Sequence, residues 1–480
     1  MSRRYGNPIA FIRLLCCVLG LGLLLGGCTL ASRFTRPEAP VPASWPEGAA
    51  YQEIPEAAGA PAAAEIPWRH FFTDVELQKL IAAALENNRD LRLAALNVQR
   101  ARGVYGIQRA ALFPTLDATA NGLKQRVPAD LSSSGERRTV EQYDVNLGVF
   151  AWEIDFFGRL RSLKAQALEA FLATEEARRS TQILIVSAVA QTYLALAADR
   201  ETLALAQTTY NNQLEVYRIV KRRYDVGLAS ELDVNRSQTQ VDVARGDIAR
   251  YRQLVAQDEN ALNLLVGAAA PRRPVSWPEH LGDVAAFEGV SAGLSSQVLL
   301  DRPDILRAEH RLKAAHADIG AARAALFPRI ALTTTVGTAS AELSGLFTSG
   351  SGTWLFAPQV VMPVFDPRLW AALDVAEAER EIAVAAYEQA IQTAFREVAD
   401  TLAVTGTVDQ QLSAQTSLVR AAEATYRLSQ ARYSKGIDSY LSVLDAQRAL
   451  YAAQQGLVAL HLAKRANEVQ LYAALGGGAD

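Results

Sequence analysis

Histidine, cysteine and acidic side chains carry most catalytic and metal-binding chemistry. In this chain of 480 residues, few of them have the spacing of a catalytic or metal site. The five histidines are scattered, and the nearest two, His310 and His316, are six residues apart, so they do not share one face of a helix. The sequence contains no nucleophile elbow, phosphate-binding loop or HExxH motif. We therefore expect no enzyme activity, no metal site and no cofactor, and we interpret the histidines as structural or surface residues.

One cysteine has a spacing that predicts covalent chemistry. Residues 1–27 form a predicted signal peptide, in which a basic start precedes an apolar run too short to span a membrane comfortably. The run ends in LLLGGC, which is similar to a bacterial lipobox and implies that Cys28 becomes the first mature residue and carries acyl chains such as palmitate. Cys16 and Cys17 lie inside the signal peptide, so no disulfide is possible. The alternative is an ordinary signal peptide with an incidental cysteine.

The residue after Cys28 indicates the location of the protein. Lipoproteins kept in the inner membrane usually carry Asp after the modified cysteine, whereas this chain has Thr29, so the lipobox resemblance implies delivery to the outer membrane.

The formal net charge of −3 leaves no strongly basic face, which argues against nucleic acid as a partner. The apolar residues are mostly Ala, Leu and Val, a composition that favours long helices in close contact.

The chain is an internal duplication. The stretch ARYSKGIDSYLSVLDAQ at 431–447 repeats RRYDVGLASELDVNRSQ at 222–238, and RAALFPRIALT at 323–333 repeats RAALFPTLDAT at 109–119. Each repeat reads as helix, hairpin, long helix, elbow and long helix, so the helical elbow is present twice because the whole unit is present twice.

The duplication predicts the following organisation: a signal peptide at 1–27, a lipidated Pro- and Ala-rich tether at 28–73, a first repeat at 74–267, a linker at 268–290, and a second repeat with a C-terminal segment at 291–480. The hairpins are expected at about 115–152 and 329–365, and the elbows at about 225–233 and 434–442.

Local signals predict the elements of the first repeat. A helix begins after Asp74 as N-cap and continues to Pro114, and two strands with alternating polarity follow at 115–122 and 142–149. Apolar residues then recur every three or four positions from Arg159 to Tyr224, which corresponds to a helical zone of roughly 100 Å. Gly227 fits the position that ends this helix, and Ser230, with Asp233 three residues on, fits the N-cap of the next helix.

Four strands of membrane-crossing length per chain are the second architectural clue. The amphipathic helices carry charges on each turn, so they cannot be the spanning element, and membranes otherwise admit only closed barrels. Four strands are too few to close a barrel. Two copies would give eight strands with a filled interior, and three copies would give twelve with a lumen. The alternative is a soluble helical lipoprotein with two incidental hairpins.

Several motifs together resemble one known family. The lipobox, WRHFF (68–72), the paired RAALFP segments, WEIDFFGRLR (152–161), RYDVGLASELDV (223–234) and RYSKGIDSYLSVLDAQRALYAAQQ (432–455) are similar to the outer-membrane factor family of TolC-like and OprM-like lipoproteins. The resemblance implies a mainly α-helical fold with a β-barrel part. A homotrimer would form a twelve-stranded transmembrane barrel in the outer-membrane lipid and a long helical tunnel in the periplasm. It implies a periplasmic adaptor and an inner-membrane efflux pump as partners.

The resemblance also assigns roles at the elbows, which would form the periplasmic end of the tunnel. Leu441 and Asp445 are one helical turn apart and would line a constriction, with a leucine ring that dewets and an aspartate ring that favours cations. Asp233 and Tyr433 would form a hydrogen bond that locks the tip shut. The docking surface for the adaptor would be formed by Val226, Gly227, Leu228, Gly436 and Ile437. The alternatives are a core leucine, a solvated aspartate, a packing tyrosine and glycines that only cap helices.

Two positions depart from the family pattern, and two other functions remain open. Asp438 stands where some relatives carry a basic residue, and Ser442 where some carry a second aspartate. We predict an exit channel for a tripartite efflux system of the resistance-nodulation-division type. The alternatives are a duct for type I protein secretion and a non-conducting structural lipoprotein of the envelope.

Overall fold

The computed structural model of the chain describes residues 30, 33–51, 63–267, 277–290 and 295–479. The predicted signal peptide, Cys28 and residues 268–276 of the predicted linker lie outside the described residues. The chain divides into two compact units. One comprises Met1–Pro37, Val98–Ala173 and Ala308–Tyr387; the other comprises Glu38–Asn97, Thr174–Arg307 and Glu388–Asp480.

The helices and strands follow the predicted order in both repeats. They are α1 (Trp68–Phe71), α2 (Val75–Asn87), α3 (Arg89–Ala110), β1 (Asp117–Val127), β2 (Arg138–Ile154), α4 (Arg159–Asp225), α5 (Glu231–Val266), α6 (Pro303–Ala324), β3 (Arg329–Ser340), β4 (Gly352–Val361), α7 (Pro367–Ser434) and α8 (Tyr440–Ala474). Short 3₁₀ turns lie in the connections. The mainly helical fold with four strands per chain is confirmed.

The first predicted helix is two helices. Asp74 is the N-cap, as predicted, and its carboxylate accepts a hydrogen bond from the backbone N–H of Leu77 at 2.9 Å. The helix ends at Asn87, so the prediction of one continuous helix to Pro114 was wrong. The Asn88 side chain accepts from the backbone N–H groups of Asp90 and Leu91 and donates to the carbonyl of Leu265. Asn88 therefore caps α3 and ties it to the end of α5.

The four strands form one antiparallel sheet in the order β1-β2-β3-β4. Strand β2 of the first repeat pairs with β3 of the second, so one sheet joins the two repeats, and β1 and β4 are its edges. The register shifts between Val149 and Trp152, where Ala151 has a φ of 53° and its N–H donates to the Thr333 hydroxyl. Strands β1 and β2 are longer than predicted, because the polar residues near the hairpin end also pair.

The helices bury the faces that the three-and-four spacing predicts. In α4, Val186, Val189, Tyr193 and Leu196 are all buried, and this helix extends to Asp225. The WRHFF segment contributes a second part of the core. The Phe71 ring stacks on Tyr472 of α8 at 4.0 Å, and the Tyr472 hydroxyl donates to the Ile66 carbonyl at 2.6 Å. These two contacts hold the end of α8 against α1 and the residues just before it.

The described part of the predicted tether is attached to the protein surface. Within the larger unit, Trp45 stacks on Phe395 with ring centroids 5.3 Å apart. Ser296 donates from its backbone N–H to the Ala43 carbonyl and from its hydroxyl to the Pro42 carbonyl. Aromatic stacking and hydrogen bonds to the Pro42 and Ala43 carbonyls therefore hold this part of the predicted tether in place.

Candidate functional site

The two elbows have the same backbone because each contains a glycine with positive φ. Gly227 has a φ of 77° and Gly436 a φ of 73°. At the first elbow the N–H of Gly227 donates to the Tyr224 carbonyl and that of Leu228 to the Arg223 carbonyl; Gly436 and Ile437 repeat the pattern at the second. This pair of bonds closes a helix and satisfies its last carbonyls. The predicted role of both glycines in ending α4 and α7 is confirmed.

The two elbows differ in the side chains that hold the turn. At the first, Ser230 and Asp233 form a reciprocal capping box at the start of α5. At the second, the equivalent Ser439 makes no side-chain cap bond. Instead, the Arg432 guanidinium donates two hydrogen bonds to Asp438, at 2.6 and 2.9 Å. Asp438, a departure from the family pattern, thus braces the turn that it belongs to.

A small apolar cluster joins the two elbows. Val220 of α4 packs with Tyr440, Val443 and Leu444 of α8, all four of them buried. Partly buried side chains surround them: Val216, Ala229, Val234, Tyr426 and Tyr433. This elbow cluster holds α8 against α4 by burial of apolar surface alone, which has no directional requirement.

Leu441 and Asp445 lie on the opposite face of α8 from the elbow cluster. Both are exposed, and Leu441 retains 42% of its accessible surface. The nearest cation to Asp445 is Arg448 of the next turn, with Nη1 4.0 Å from Oδ1. The interpretation of Leu441 as a core residue is therefore excluded for the single chain. The two side chains share one face, as a role at a constriction requires.

Asp233 and Tyr433 have different partners in this chain. The Asp233 carboxylate accepts from the backbone N–H and the hydroxyl of Ser230, at 3.3 and 2.7 Å. The Tyr433 ring packs on Tyr440, and the guanidinium of Arg223 lies 5.2 Å from its centroid. The structure brings Tyr433 to the first elbow as predicted, but through Arg223 rather than through a hydrogen bond to Asp233.

Tyr440 is a feature of the site that the sequence analysis missed. Its hydroxyl is buried and has no hydrogen-bond partner within the described part of the chain. Burial, with smaller contributions from Tyr433, Tyr426 and the Asp233 carboxylate, raises the pKa of Tyr440. The signal in the sequence was its position directly after the N-cap Ser439, where Glu231 stands in the first repeat.

The predicted docking residues are at the surface. Val226 and Leu228 flank Gly227, Ile437 follows Gly436, and all three apolar side chains are exposed. Exposed apolar side chains on a turn with a fixed backbone are suited to protein contacts. The structure thus places these residues at the tips of the two elbows.

Beyond the elbow cluster, polar contacts join α5 and α8. Three pairs of side chains are hydrogen bonded along these helices: Arg448 to Gln240 at 3.0 Å, Tyr451 to Asp247 at 3.1 Å, and Gln455 to Tyr251 at 3.3 Å. We call these contacts the polar seam. Sequence reasoning missed them because the partners are more than two hundred residues apart.

The sheet has one polar face and one largely apolar face. Asp144 accepts hydrogen bonds from Asn121 and Asn146 on the polar face. The strand register and the alternation of side chains place many apolar residues on the other face, among them Tyr143, Val145, Leu147, Val336, Trp354, Phe356 and Val360. Near the β1–β2 hairpin the same face carries the Lys124–Glu141 ion pair. Trp354, Phe356 and Val360 are exposed to the surroundings of the single chain.

The histidines and acidic residues form no metal site in the described ranges. His310 pairs through Nδ1 with Glu169 at 2.6 Å, and no group of three or more His, Cys, Asp or Glu side chains in these ranges could hold a metal ion. Of the described helices, α4 alone has an 18-residue window apolar enough to cross a membrane, and 61% of that window is buried, as in a core helix.

Comparison with known proteins identifies the relatives of this chain. A family model described as "Outer membrane efflux protein" matches residues 80–268 and 294–477. The chain is 49% identical to the toluene efflux pump outer membrane protein TtgC of Pseudomonas putida, over 95% of this chain and 93% of that protein. It is equally similar to the antibiotic efflux pump outer membrane protein ArpC of Pseudomonas putida. The open state of the Neisseria gonorrhoeae MtrE outer membrane channel superposes with a TM-score of 0.84 and 37% identity, over 94% of this chain and 99% of that one.

Proposed function

The chain belongs to the outer membrane efflux protein family, and on this premise we propose that three copies form the exit channel of a tripartite efflux system. As a member of this family, the protein acts in efflux and is located in the outer membrane. The channel conducts small molecules passively, and its periplasmic end stays closed until the adaptor and the pump dock. The chain supplies no catalysis, and the inner-membrane pump supplies the energy.

The two-faced, open sheet is the observation that carries this proposal. Its apolar face suits lipid and its polar face suits a water-filled lumen, while the edge strands β1 and β4 are left to pair with other copies. Four strands are half of the smallest barrel, so closure needs partners. Three copies give twelve strands and leave a lumen, whereas two would give eight strands with a filled interior.

Helix α3 supports assembly from several copies. None of its 22 residues is buried in the single chain, although it carries exposed apolar side chains at Leu93, Leu96, Val104 and Ile107. A helix that is apolar on one face and lacks a core in its own chain normally packs against another element. In the trimer, neighbouring copies cover this face.

The gate lies on α8. Leu441 and Asp445, repeated three times by symmetry, form a leucine ring that excludes water and an aspartate ring that favours cations. The apolar turn residues Val226, Leu228 and Ile437 receive the adaptor. Opening moves α8 away from α4 and α5. This movement must break the elbow cluster and the polar seam, which join these helices in the closed tip.

Lipid attaches the mature N-terminus to the membrane. Acylation of Cys28 supplies one anchor and the barrel supplies another, so the barrel would hold the protein in the membrane even without acyl chains. No other covalent group or cofactor is needed.

The substrates are small apolar molecules and antibiotics. The support is the identity of 49% with relatives named for toluene and antibiotic efflux, over nearly the full length of both chains. Type I protein secretion is the second candidate within the channel class, and a non-conducting envelope lipoprotein is the structural alternative.

Growth assays test the transport role. Cells that lack this chain should become sensitive to toluene and to several antibiotics, and the wild-type gene should restore resistance. A chain carrying a bulky crosslink across the gate, between cysteines placed at Leu441 of each copy, should assemble but fail to restore it. Unchanged sensitivity in the deletion strain, together with loss of a secreted protein, would favour the secretion role instead.

A further inference from the structure

A cavity of about 280 Å³, whose lining combines apolar surface with several polar side chains, lies between α4, α5 and α8, behind the proposed gate. Its lining on α8 begins with Gln447, two residues after Asp445. On α5 it includes Thr239 and Asp247, and on α4 it includes Gln213. Its volume is near the lower end of small-molecule sites in proteins. The gate, the elbow cluster and the cavity therefore share one helix.

Two hydroxyl donors in this lining are already used within the protein. The Thr239 hydroxyl donates to the Asn235 carbonyl at 2.9 Å, and the Tyr451 hydroxyl donates to Asp247 at 3.1 Å. Burial and the neighbouring Asp247 carboxylate raise the pKa of Tyr451, so this phenol keeps its proton. These groups consequently present oxygen lone pairs, and the second oxygen of Asp247 adds a negative charge.

Two buried amides in the lining need a donor. Gln213 is 4% exposed and Gln447 is 7% exposed, and the carbonyl oxygen of each has no hydrogen-bond partner in the part of the chain that the structure describes. Leaving a buried acceptor unpaired is costly, and such groups in native proteins are usually satisfied by a water or a ligand. Here both lie beside the same cavity as the Asp247 carboxylate.

We propose that this cavity binds a small organic ammonium ion. A protonated amine has N–H donors and no acceptor, so it complements two unpaired carbonyl oxygens and a carboxylate. Arg448 lies at the mouth of the cavity, where Gln240 accepts from its Nε and Asp445 is its nearest carboxylate, so the ammonium group binds deeper, towards Asp247.

The proposal rests on the proposed function for its consequence at the gate. The cavity is lined by α5 and by α8, which separate if the tip opens, so a ligand that contacts both favours the closed state. Amine binding itself requires only the folded tip, and it can be measured without any conductance.

The test measures binding of putrescine to the purified full-length trimer by isothermal titration calorimetry at constant ionic strength. We expect saturable binding that weakens about tenfold or more in Asp247→Asn, since a charge-assisted hydrogen bond is lost. Asp247 also bonds Tyr451, so Gln213→Leu serves as a second variant that leaves the polar seam intact. It should weaken binding as well. Asp225→Asn, which removes an exposed carboxylate outside the lining, is the control and should bind putrescine as the wild type does. Asp445→Asn separates binding in the cavity from binding at the aspartate ring.

Three outcomes would overturn the proposal. One is the absence of saturable binding, which would mean that water alone fills the cavity. Another is equal binding by Asp247→Asn and the wild type. A third is loss of binding in Asp445→Asn with retention in Gln213→Leu, which would place the amine at the aspartate ring. A chain that binds putrescine but never conducts would keep this inference and refute the proposed channel.

Discussion

The guanidinium of Arg223, in the last turn of α4, lies 5.2 Å from the centre of the Tyr433 ring, in the last turn of α7. The two residues belong to different repeats, and their equivalents in the other repeat, Arg432 and Tyr224, do not form this pair. Arg432 binds Asp438 instead. The second elbow thus uses Arg432 to brace its own turn, whereas the first elbow uses Arg223 to contact Tyr433 of the second elbow.

The first prediction concerns this contact. Arg223→Ala should increase the open fraction of the channel, because a cation–π contact at an exposed site contributes about 0.5–1 kcal/mol, or about a 2- to 5-fold change per copy. Single-channel recording in planar bilayers measures the effect. Arg222→Ala, at the adjacent exposed position, is the matched control. Equal opening of both variants would show that general tip charge, rather than the contact with Tyr433, holds the elbows together.

The second prediction concerns the elbow cluster. Tyr440→Phe removes a buried hydroxyl that has no partner in the described part of the chain, so the tip should be as stable as in the wild type or slightly more stable. Leu444→Ala, in the same cluster, should destabilise the tip by about 2–5 kcal/mol through the cavity that it leaves. Hydrogen exchange of the α8 amides compares the two. Faster exchange in Tyr440→Phe would reveal a bond that the hydroxyl makes in the assembled channel.

The third prediction concerns the gate residues. Asp445→Asn should lower the preference for cations, because three negative charges leave the constriction, while Leu441→Ser should raise conductance, because the ring becomes wettable. Reversal potentials in a salt gradient separate the two effects. Asp225→Asn, which removes an exposed carboxylate at the end of α4, is the control and should leave selectivity nearly unchanged. A cation preference that persists in Asp445→Asn would show that Asp445 does not set the selectivity of the gate.

The fourth prediction is a pH dependence at the second elbow. The hydrogen bonds and charge of Arg432 lower the pKa of Asp438. Since its pKa is lower in the folded protein, its stabilising effect is complete above about pH 4, the ordinary carboxyl value, and is lost as the pH falls through the folded value. Exchange of the Gly436 and Ile437 amides, corrected for intrinsic rates, should therefore speed up in acid.

In Asp438→Asn the same amides should exchange faster at neutral pH and show no further acid effect. A wild-type elbow that keeps full protection at a pH well below the lowered pKa of Asp438 would contradict the role given to the ion pair with Arg432.

The fifth prediction concerns the sheet. A Cβ at Gly337 would lie 2.1 Å from the Val145 carbonyl oxygen, so Gly337→Ala must push β2 and β3 apart and should reduce the yield of assembled channel. A Cβ at Gly352 on β4 has nothing within 4 Å, so Gly352→Ala is the matched control and should assemble normally. Heat-resistant trimer on gels measures the yield. Normal assembly of Gly337→Ala would argue against the pairing of β2 with β3.

The sequence predicted elements whose signals are local. Asp74, Gly227 and Ser230 could be placed because a cap or a helix end depends on residues within one turn. Asn88 was missed because the helical periodicity of the sequence continues across it, and because the bond that it makes to Leu265 is a long-range contact. The pairing of β2 with β3 likewise depends on the tertiary fold.

At the candidate site, residue positions were predicted better than their partners. Leu441 and Asp445 share the exposed face that their spacing implies, and the glycines close both elbows as expected. The partner of Tyr433, the buried Tyr440 hydroxyl and the cavity on α8 could not be predicted. Each depends on how helices from the two repeats pack together, which no local pattern records.

The most direct test of the proposed channel is the mass and symmetry of the purified protein. Light scattering in detergent should give three chains per particle, and electron microscopy should show a hollow, three-fold particle with a helical tunnel roughly 100 Å long. A monomer, or a solid particle without a lumen, would contradict the shared barrel and with it the exit-channel function.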